Sequence, residues 1–483
     1  MLKKIKDFLF VNQTVKQTVV KNTFWLIIGE TVGRVLKLLI IIFATRKLGL
    51  EDWGVFSYAL AFVSLFFVLG DFGINTFITK EMSKGGVNKY RYLGASIMIR
   101  ITFLVIFFSL AILLGPVLGK IKLGFNIICI FATFFLFESI REFAMSINRS
   151  LEKMETEGLS KILINLTITT FGFILLIKIP DPISLAVAYM LGSVVSTFYI
   201  LWSIRKELLK IEWKFSRGDF KVIYNFSWPI LIISLFGFLF SLDTIMLGQM
   251  RSAVEVSLYT TPQRLISFLA VVPSFIGISM FPILSKNEND NEKLGLIFGK
   301  VMKIILAVGV PLTIGGIIFN KEITLLVLGQ EYIGVAPVFS ILMISILASF
   351  PNIFLINLIF TKNLQRSFIM VTSFGVFLNI FLNFLLIPKY GAIGAAISTT
   401  VAELLIMSAN WKKLQSIIPF SVLPKLGKVI VSSVMMTLII LACNYLGFYF
   451  IFTIVIAITT YIVFLKILRE PMIHEISSLV KLN

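Results

Sequence analysis

NTFWLIIGETVGRVLKLLIIIFATR, Asn22 to Arg46, is the stretch whose reading decides the fold. About 20 mainly apolar residues suffice to cross a bilayer as a helix, and this run is long enough. It nevertheless carries Glu30, Arg34 and Lys37, whose spacing of i, i+4 and i+7 puts them on one helix face. A charge at mid-bilayer costs about 2.5–3.5 kcal/mol on insertion scales, so such residues turn to a bundle interior or a watery cavity. Glu30 and Arg34 read either as a pair that locks helices or as part of a functional site. Lys37 has no acidic residue at i+3 or i+4 and reads as facing a cavity.

Composition extends this reading to the whole chain. Hydrophobic residues make up 58% and charged residues 14%, against about 25% charged in soluble domains, and the mean hydropathy is +0.96. The chain is therefore all-α and polytopic. Apolar runs at 22–45, 54–79, 92–114, 123–148, 159–179, 183–203, 222–248, 255–284, 296–319, 335–361, 366–387, 391–411, 426–446 and 448–468 predict about fourteen transmembrane helices. The runs are continuous rather than alternating, which excludes barrel strands. The lysine-rich start lacks the pattern of a cleavable signal, so the first span is expected to act as the insertion signal.

The net charge of +19 is not a nucleic-acid footprint, because basic residues gather in short connectors where they set topology and meet anionic lipid. Roughly 31 of the 44 Lys and Arg residues fall in one alternate set of connectors, which predicts that both termini are cytoplasmic in a cell-membrane protein. Cys129 and Cys443 lie in apolar runs and form no disulfide framework, and the lone His474 excludes a histidine metal centre.

The longest basic connector, 204–221, reads as an amphipathic surface helix. It divides an N-lobe, 1–203, from a C-lobe, 222–411, with two further helices and a tail at 412–483. EDWGVFSYA at Glu51 matches VEVSLYTTP at Val254, and LIKIPDPISLAVA at Leu176 matches FLLIPKYGAIGAA at Phe384. The offsets agree to within a few residues, as one duplication requires. An even number of helices per lobe makes the repeats parallel.

KLGLEDWGVFSYALAF at Lys47, GDFGINTFITKEMSK at Gly70, NRSLEKMETEGLSK at Asn148, SLDTIMLGQMRSAVEVSLYTTPQRL at Ser241 and LLIPKYGAIGAAISTTVAE at Leu385 carry a resemblance. With two six-helix lobes and an appended pair, the chain resembles the multidrug/oligosaccharidyl-lipid/polysaccharide exporter superfamily, and within it the oligosaccharide flippases. The resemblance covers essentially the whole length. It implies that rocking lobes carry a lipid-linked oligosaccharide, on a polyprenyl phosphate or diphosphate, from the cytoplasmic to the outer leaflet by alternating access.

Such transport makes no bond, and the chain holds neither GxxxxGK[ST] nor H-E-x-x-H. No enzyme activity and no cofactor are expected; the drive is an H+ or Na+ gradient, the membrane potential or consumption of the product. An anionic head group needs cations along its path, and Arg34, Lys37 and Arg264 are the candidates, arginine binding phosphate bidentately and lysine as a point charge. Glu30, Asp243 and Glu403 are candidates for ion coupling. Asp71, Glu138, Arg141 and Glu142 read as a structural network or inner gate, the last three being spaced to pair along one face. Arg100, two turns into its run, is expected to snorkel to the surface. Asn352, Asn357, Asn379 and Asn383 read as interhelical glue before sugar contacts. Expected partners are the lipid-linked oligosaccharide, membrane lipids, a polysaccharide polymerase and glycosyltransferases, with the chain a monomer. A cation-coupled multidrug exporter is the alternative, disfavoured by the basic character of Lys37 and Arg264 against Asp243. A non-transporting scaffold for glycosyltransferases would not need charges on the first span.

Overall fold

Apolar chain with no water beside it must satisfy its own backbone, and helices do this within one segment. The computed structural model describes residues 10–86, 88–115, 121, 124–214, 216–239, 242–362 and 364–470, and every regular element among them is helical. The lysine-rich first nine residues and the tail with His474 lie outside the described residues. Eight of the described helices are long and apolar enough to cross a membrane.

The chain divides into two compact units, Met1–Ser257 and Leu258–Asn483. The first holds α1 (Val15–Asp71), α2 (Ile74–Lys84), α3 (Lys89–Leu114), α4 (Phe125–Ser150), α5 (Met154–Lys178), α6 (Pro182–Leu208), α7 (Arg217–Leu239) and α8 (Leu242–Met250). α9 (Ala253–Leu269) runs across the division. The second unit continues with α10 (Val271–Lys286), α11 (Asn291–Ile318), α12 (Asn320–Val327), α13 (Val335–Thr361), α14 (Gln365–Gln415), α15 (Gly427–Tyr445) and α16 (Phe450–Ile467). The compact division thus falls later than the connector at 204–221, because α7 packs against α1, α2 and α3 and α8 against α1.

Several expected runs meet or divide at identifiable residues. α1 is 57 residues long, about 85 Å at 1.5 Å per residue and far beyond a bilayer. It is broken at Gly49, whose φ of 73° and ψ of −177° belong to a region open essentially to glycine alone. α14 joins two further runs across Gly391, with φ 55° and ψ −130°. Just beyond that turn a Cβ on Gly394 would sit 2.6 Å from the Leu386 backbone, so the two arms meet there. Both glycines end a Lys-x-Gly triplet, Lys47–Gly49 and Lys389–Gly391. Elsewhere single runs divide: 54–79 breaks at Phe72 and Gly73, and 255–284 breaks at Ala270 between α9 and α10.

The connector at 204–221 does not form a surface helix. α6 continues to Leu208, and residues 209–214 are turn and coil. α7 begins where Ser216 and Asp219 cap each other, the Ser216 backbone N–H reaching the Asp219 carboxylate at 3.0 Å and the Asp219 N–H the Ser216 hydroxyl at 3.2 Å, the reciprocal logic of a capping box. Arg91 on α3 pairs with Asp219 at 2.8 Å, and the Tyr90 hydroxyl donates to Glu207 at 2.7 Å. The Glu207 carboxylate also holds the Lys210 ammonium above the usual lysine range. An irregular stretch held by α3 replaces the helix that its composition suggests.

Small residues set the close crossing of α1 and α5. A Cβ on Gly29 of α1 would lie 2.6 Å from the Gly158 Cα of α5, and one on Gly158 would lie 2.5 Å from the Trp25 carbonyl oxygen. One turn on, Gly33 faces the Asn165 side chain of α5. Gly29-x-x-x-Gly33 is thus a close-packing face of the kind that joins helices in lipid. Thr169 extends the seam by donating to the Leu36 carbonyl at 3.0 Å. In the second unit, α15 and α16 dock on α11, where the Tyr461 hydroxyl donates to the Ala307 carbonyl at 2.7 Å and Lys303 forms a buried ion pair with Glu470.

Replacing Gly158 by valine is expected to wedge α1 from α5 and destabilise the protein by about 1–3 kcal/mol. The check is the melting temperature of the purified protein in detergent, where an unchanged value would contradict the crossing.

Candidate functional site

The glycine crossing delivers α1's charged face to α5. Glu30, adjacent to Gly29, accepts from Arg34 Nε at 2.6 Å and from Lys161 Nζ of α5 at 3.4 Å. Lys161 lies one turn after Glu157 and pairs with it at 3.2 Å. Glu157 in turn takes Arg149 of α4 in a fork, with Nε at 2.7 Å and Nη2 at 2.8 Å. Cations and carboxylates therefore alternate from Arg34 through Glu30, Lys161 and Glu157 to Arg149. A second pair, Lys21 with Glu155 at 2.8 Å, ties the start of α1 to the start of α5.

Deeper in the same unit, Arg141 of α4 binds Glu138 and Glu142 on its own helix, the latter at 3.1 Å, and reaches the Ser160 hydroxyl of α5 at 3.3 Å. This is the one-face pairing that the spacing predicts. Ser160 shares a hydrogen bond of 2.8 Å with Ser196 of α6. Arg100 of α3 does not snorkel, contrary to expectation. It is buried, with Asp71 at 3.0 Å, Asn75 at 2.6 Å and the Ser139 hydroxyl and carbonyl both at 2.8 Å.

The physical reason lies in the break between α1 and α2. Phe72 and Gly73 both adopt left-handed backbone, with φ of 49° and 72°, and for phenylalanine this costs roughly 1–2 kcal/mol. Asp71 precedes the break and Asn75 follows it, so Arg100 clamps both sides. Phe72 itself stacks on Phe103 of α3 at 4.8 Å between ring centroids.

Burial separates this network into a lock and a rim. The side chains of Arg100, Arg141 and Glu157 are 4%, 5% and 3% exposed, whereas Glu30 and Arg34 are 37% and 32% exposed. Lys37 is exposed beyond them. At about 100° per residue, α1 presents three faces. Gly29 and Gly33 pack on α5, Glu30, Arg34 and Lys37 form a charged face, half-buried at the first two and exposed at Lys37, and Val32, Val35 and Leu39 form an apolar exposed face on the far side. The apolar face suits lipid. The charged face needs water, since an accessible guanidinium in hydrocarbon is costly.

The remaining candidates lie on other helices. Asp243 is buried on α8 in the first unit. Arg264 on α9 and Glu403 on α14 are half-buried in the second. Beside Arg264, the Gln263 amide approaches the Tyr259 hydroxyl at 3.4 Å, and Tyr259 shares a hydrogen bond of 2.8 Å with Thr399. Asn379 and Asn383 bond to each other along α14 at 3.1 Å, while Asn410 reaches Asn352 of α13 at 3.3 Å as interhelical glue. Lys161, Glu157 and Arg149, at and before the start of the run 159–179, are the site residues that sequence reasoning passed over. The Gly29-x-x-x-Gly33 pattern and the i, i+4 spacing of Glu157 and Lys161 carried the signal.

A many-helix membrane fold with a charged, water-requiring face defines a transport-type architecture, and comparison gives the family. Residues 19–288 match the model of the polysaccharide biosynthesis protein family, and the chain belongs to it. The resemblance to the oligosaccharide flippases of the exporter superfamily is borne out. The chain is 23% identical to the probable low-salt glycan biosynthesis flippase Agl15 of Haloferax volcanii over 79% of its own length and 80% of the relative's. It is 21% identical to a putative O-antigen transporter of Shigella flexneri over 80% and 96% of the two chains. Its fold is similar to that of the lipid II flippase MurJ in an inward closed conformation, with a TM-score of 0.78, 18% identity and coverage of 92% and 99%.

Replacing Arg100 by methionine is expected to cost about 3 kcal/mol, because Asp71 loses its cation beside a strained break. Adding Asp71→Asn should recover part of that loss. Chemical or thermal unfolding in detergent checks both, and equal stability of wild type and Arg100→Met would contradict the clamp.

Proposed function

We propose that this protein flips a lipid-linked oligosaccharide, carried on a polyprenyl phosphate or diphosphate, from the cytoplasmic to the outer leaflet by alternating access. It does so as a monomer in the cytoplasmic membrane with both termini cytoplasmic. The observation that carries the proposal is the exposed charged face of α1, which sits opposite a lipid-suited apolar face. The prenyl tail stays in hydrocarbon while the anionic head crosses along cations. Membership of the polysaccharide biosynthesis family and the names of the glycan-flippase relatives support the same substrate class.

In this reading Arg34, Lys37 and Arg264 hold the head group, each cation offsetting the loss of phosphate hydration. Arg141 with Glu138 and Glu142, and Asp71 with Arg100, keep the helices of the first unit in register as the molecule moves. Glu30, Asp243 and Glu403 are the carboxylates that would couple transport to H+ or Na+. A polymerase and glycosyltransferases would consume and supply the glycan.

Two measurements test this. In cells that depend on this gene for surface polysaccharide, Arg34→Ala or Lys37→Ala is expected to lower polymer at least tenfold at normal protein level. Full polymer in both variants would remove the charged face from the mechanism. In energised vesicles the wild-type protein is expected to leave cationic dyes in place, and gradient-dependent dye efflux would point to a drug exporter instead.

A further inference from the structure

The carboxylate of Glu30 lies between two cations from different helices, Arg34 of α1 at 2.6 Å on one oxygen and Lys161 of α5 at 3.4 Å on the other. Its neighbour Glu157 is a different kind of anion, 3% exposed and forked by Arg149. Glu157 is built into the protein, whereas Glu30 is 37% exposed and sits at the watery rim. Removing Glu30's charge from the cradle would leave two cations, Arg34 and Lys161, facing one gap.

We propose that Glu30 is an internal stand-in for a phosphoryl group: it occupies the Arg34–Lys161 cradle when no substrate is bound, and the diphosphate of the head group displaces it. Lys161 thereby becomes a head-group residue, supplied by α5. The proposal rests on the flippase reading for its natural ligand, but the anion chemistry can be measured without it.

The geometry gives the exchange a route. Two oxygens of a phosphoryl group can take the places of the two carboxylate oxygens, with the guanidinium and the ammonium as donors. The displaced carboxylate, already 37% exposed, turns outward. Glu157 stays in place and keeps Lys161 aimed at the cradle. The exchange also solves a difficulty common to transport sites, which must bind their cargo firmly enough to load it and weakly enough to release it. A bare cradle would hold a multivalent anion too tightly. A tethered competing carboxylate lowers the affinity and returns to expel the head group on the far side.

The test uses the full chain purified in detergent, titrated with inorganic pyrophosphate by calorimetry, with sulfate and orthophosphate as weaker anions. Glu30→Gln is expected to bind pyrophosphate about tenfold more tightly than wild type, which corresponds to about 1.4 kcal/mol. Glu30→Asp, which keeps the carboxylate, should stay near wild type. Lys161→Gln should weaken binding at least fivefold, and the double variant should bind no more tightly than Lys161→Gln alone.

Unchanged or weaker binding by Glu30→Gln would overturn the proposal, as would a tenfold gain that survives in the double variant. Absence of pyrophosphate binding to wild type and Glu30→Gln alike at millimolar concentration would also overturn it. Should Glu30→Gln not fold, the fivefold loss in Lys161→Gln decides, and unchanged binding there is contrary. A polyprenyl diphosphate in mixed micelles separates lipid head group from free anion: the same tenfold gain on the lipid assigns the cradle to the head group, and a gain on inorganic pyrophosphate alone assigns it to a soluble anion. Tighter pyrophosphate binding in a protein whose loss leaves surface glycan intact would support the stand-in while rejecting the flippase reading.

Discussion

The first unit depends on one close approach, the backbone contact of Gly29 on α1 with Gly158 on α5. No side chain larger than hydrogen fits there, so the two helices lie near enough for Glu30 to reach Lys161. From Lys161 the network runs on along α5 and across to α4. Lys161 meets Glu157, Glu157 meets Arg149, and Arg141 meets Ser160 on the same helix. In lipid, where apolar side chains gain little by leaving their surroundings, close packing and polar links must hold helices together.

The charges that hold the unit together differ in what they do. Arg100, Arg141 and Glu157 are buried and multiply bonded, and removing one partner would leave an uncompensated charge. They define a single arrangement of α1 to α6. Glu30 and Arg34 are half-buried and Lys37 is exposed, so their charges call for water. A transporter needs both kinds, a rigid frame and a surface whose ion pairs can be exchanged for a ligand. The turn at Phe72 and Gly73, clamped by Arg100, holds a phenylalanine in left-handed backbone.

The sequence makes the helical class plain, because unbroken apolar runs leave few alternatives. The pairing of Glu138, Arg141 and Glu142 follows from spacing alone, as does Glu30 with Arg34. What hides is tertiary. Glu157 and Lys161 depress the hydropathy of the stretch after Arg149, which therefore reads as a connector although α5 begins at Met154. Arg100 looks like a snorkelling residue until the break at Phe72 folds Asp71 and Asn75 around it. The division at Ala270 leaves no composition change at all. The connector after α6 has the charge of a surface helix, but Ser216 and Asp219 begin α7 late and α3 holds the intervening chain.

The central claim is that α1 turns a charged face to water and an apolar face to lipid, with the α5 crossing between them. Single cysteines at Lys37 and at Val35 or Leu39, in a chain with Cys129 and Cys443 replaced by serine, measure this directly. The rate of reaction with a charged, membrane-impermeant thiosulfonate in proteoliposomes is the readout. The account predicts modification at position 37 at least tenfold faster than at 35 or 39. Equal rates at all three positions would contradict it.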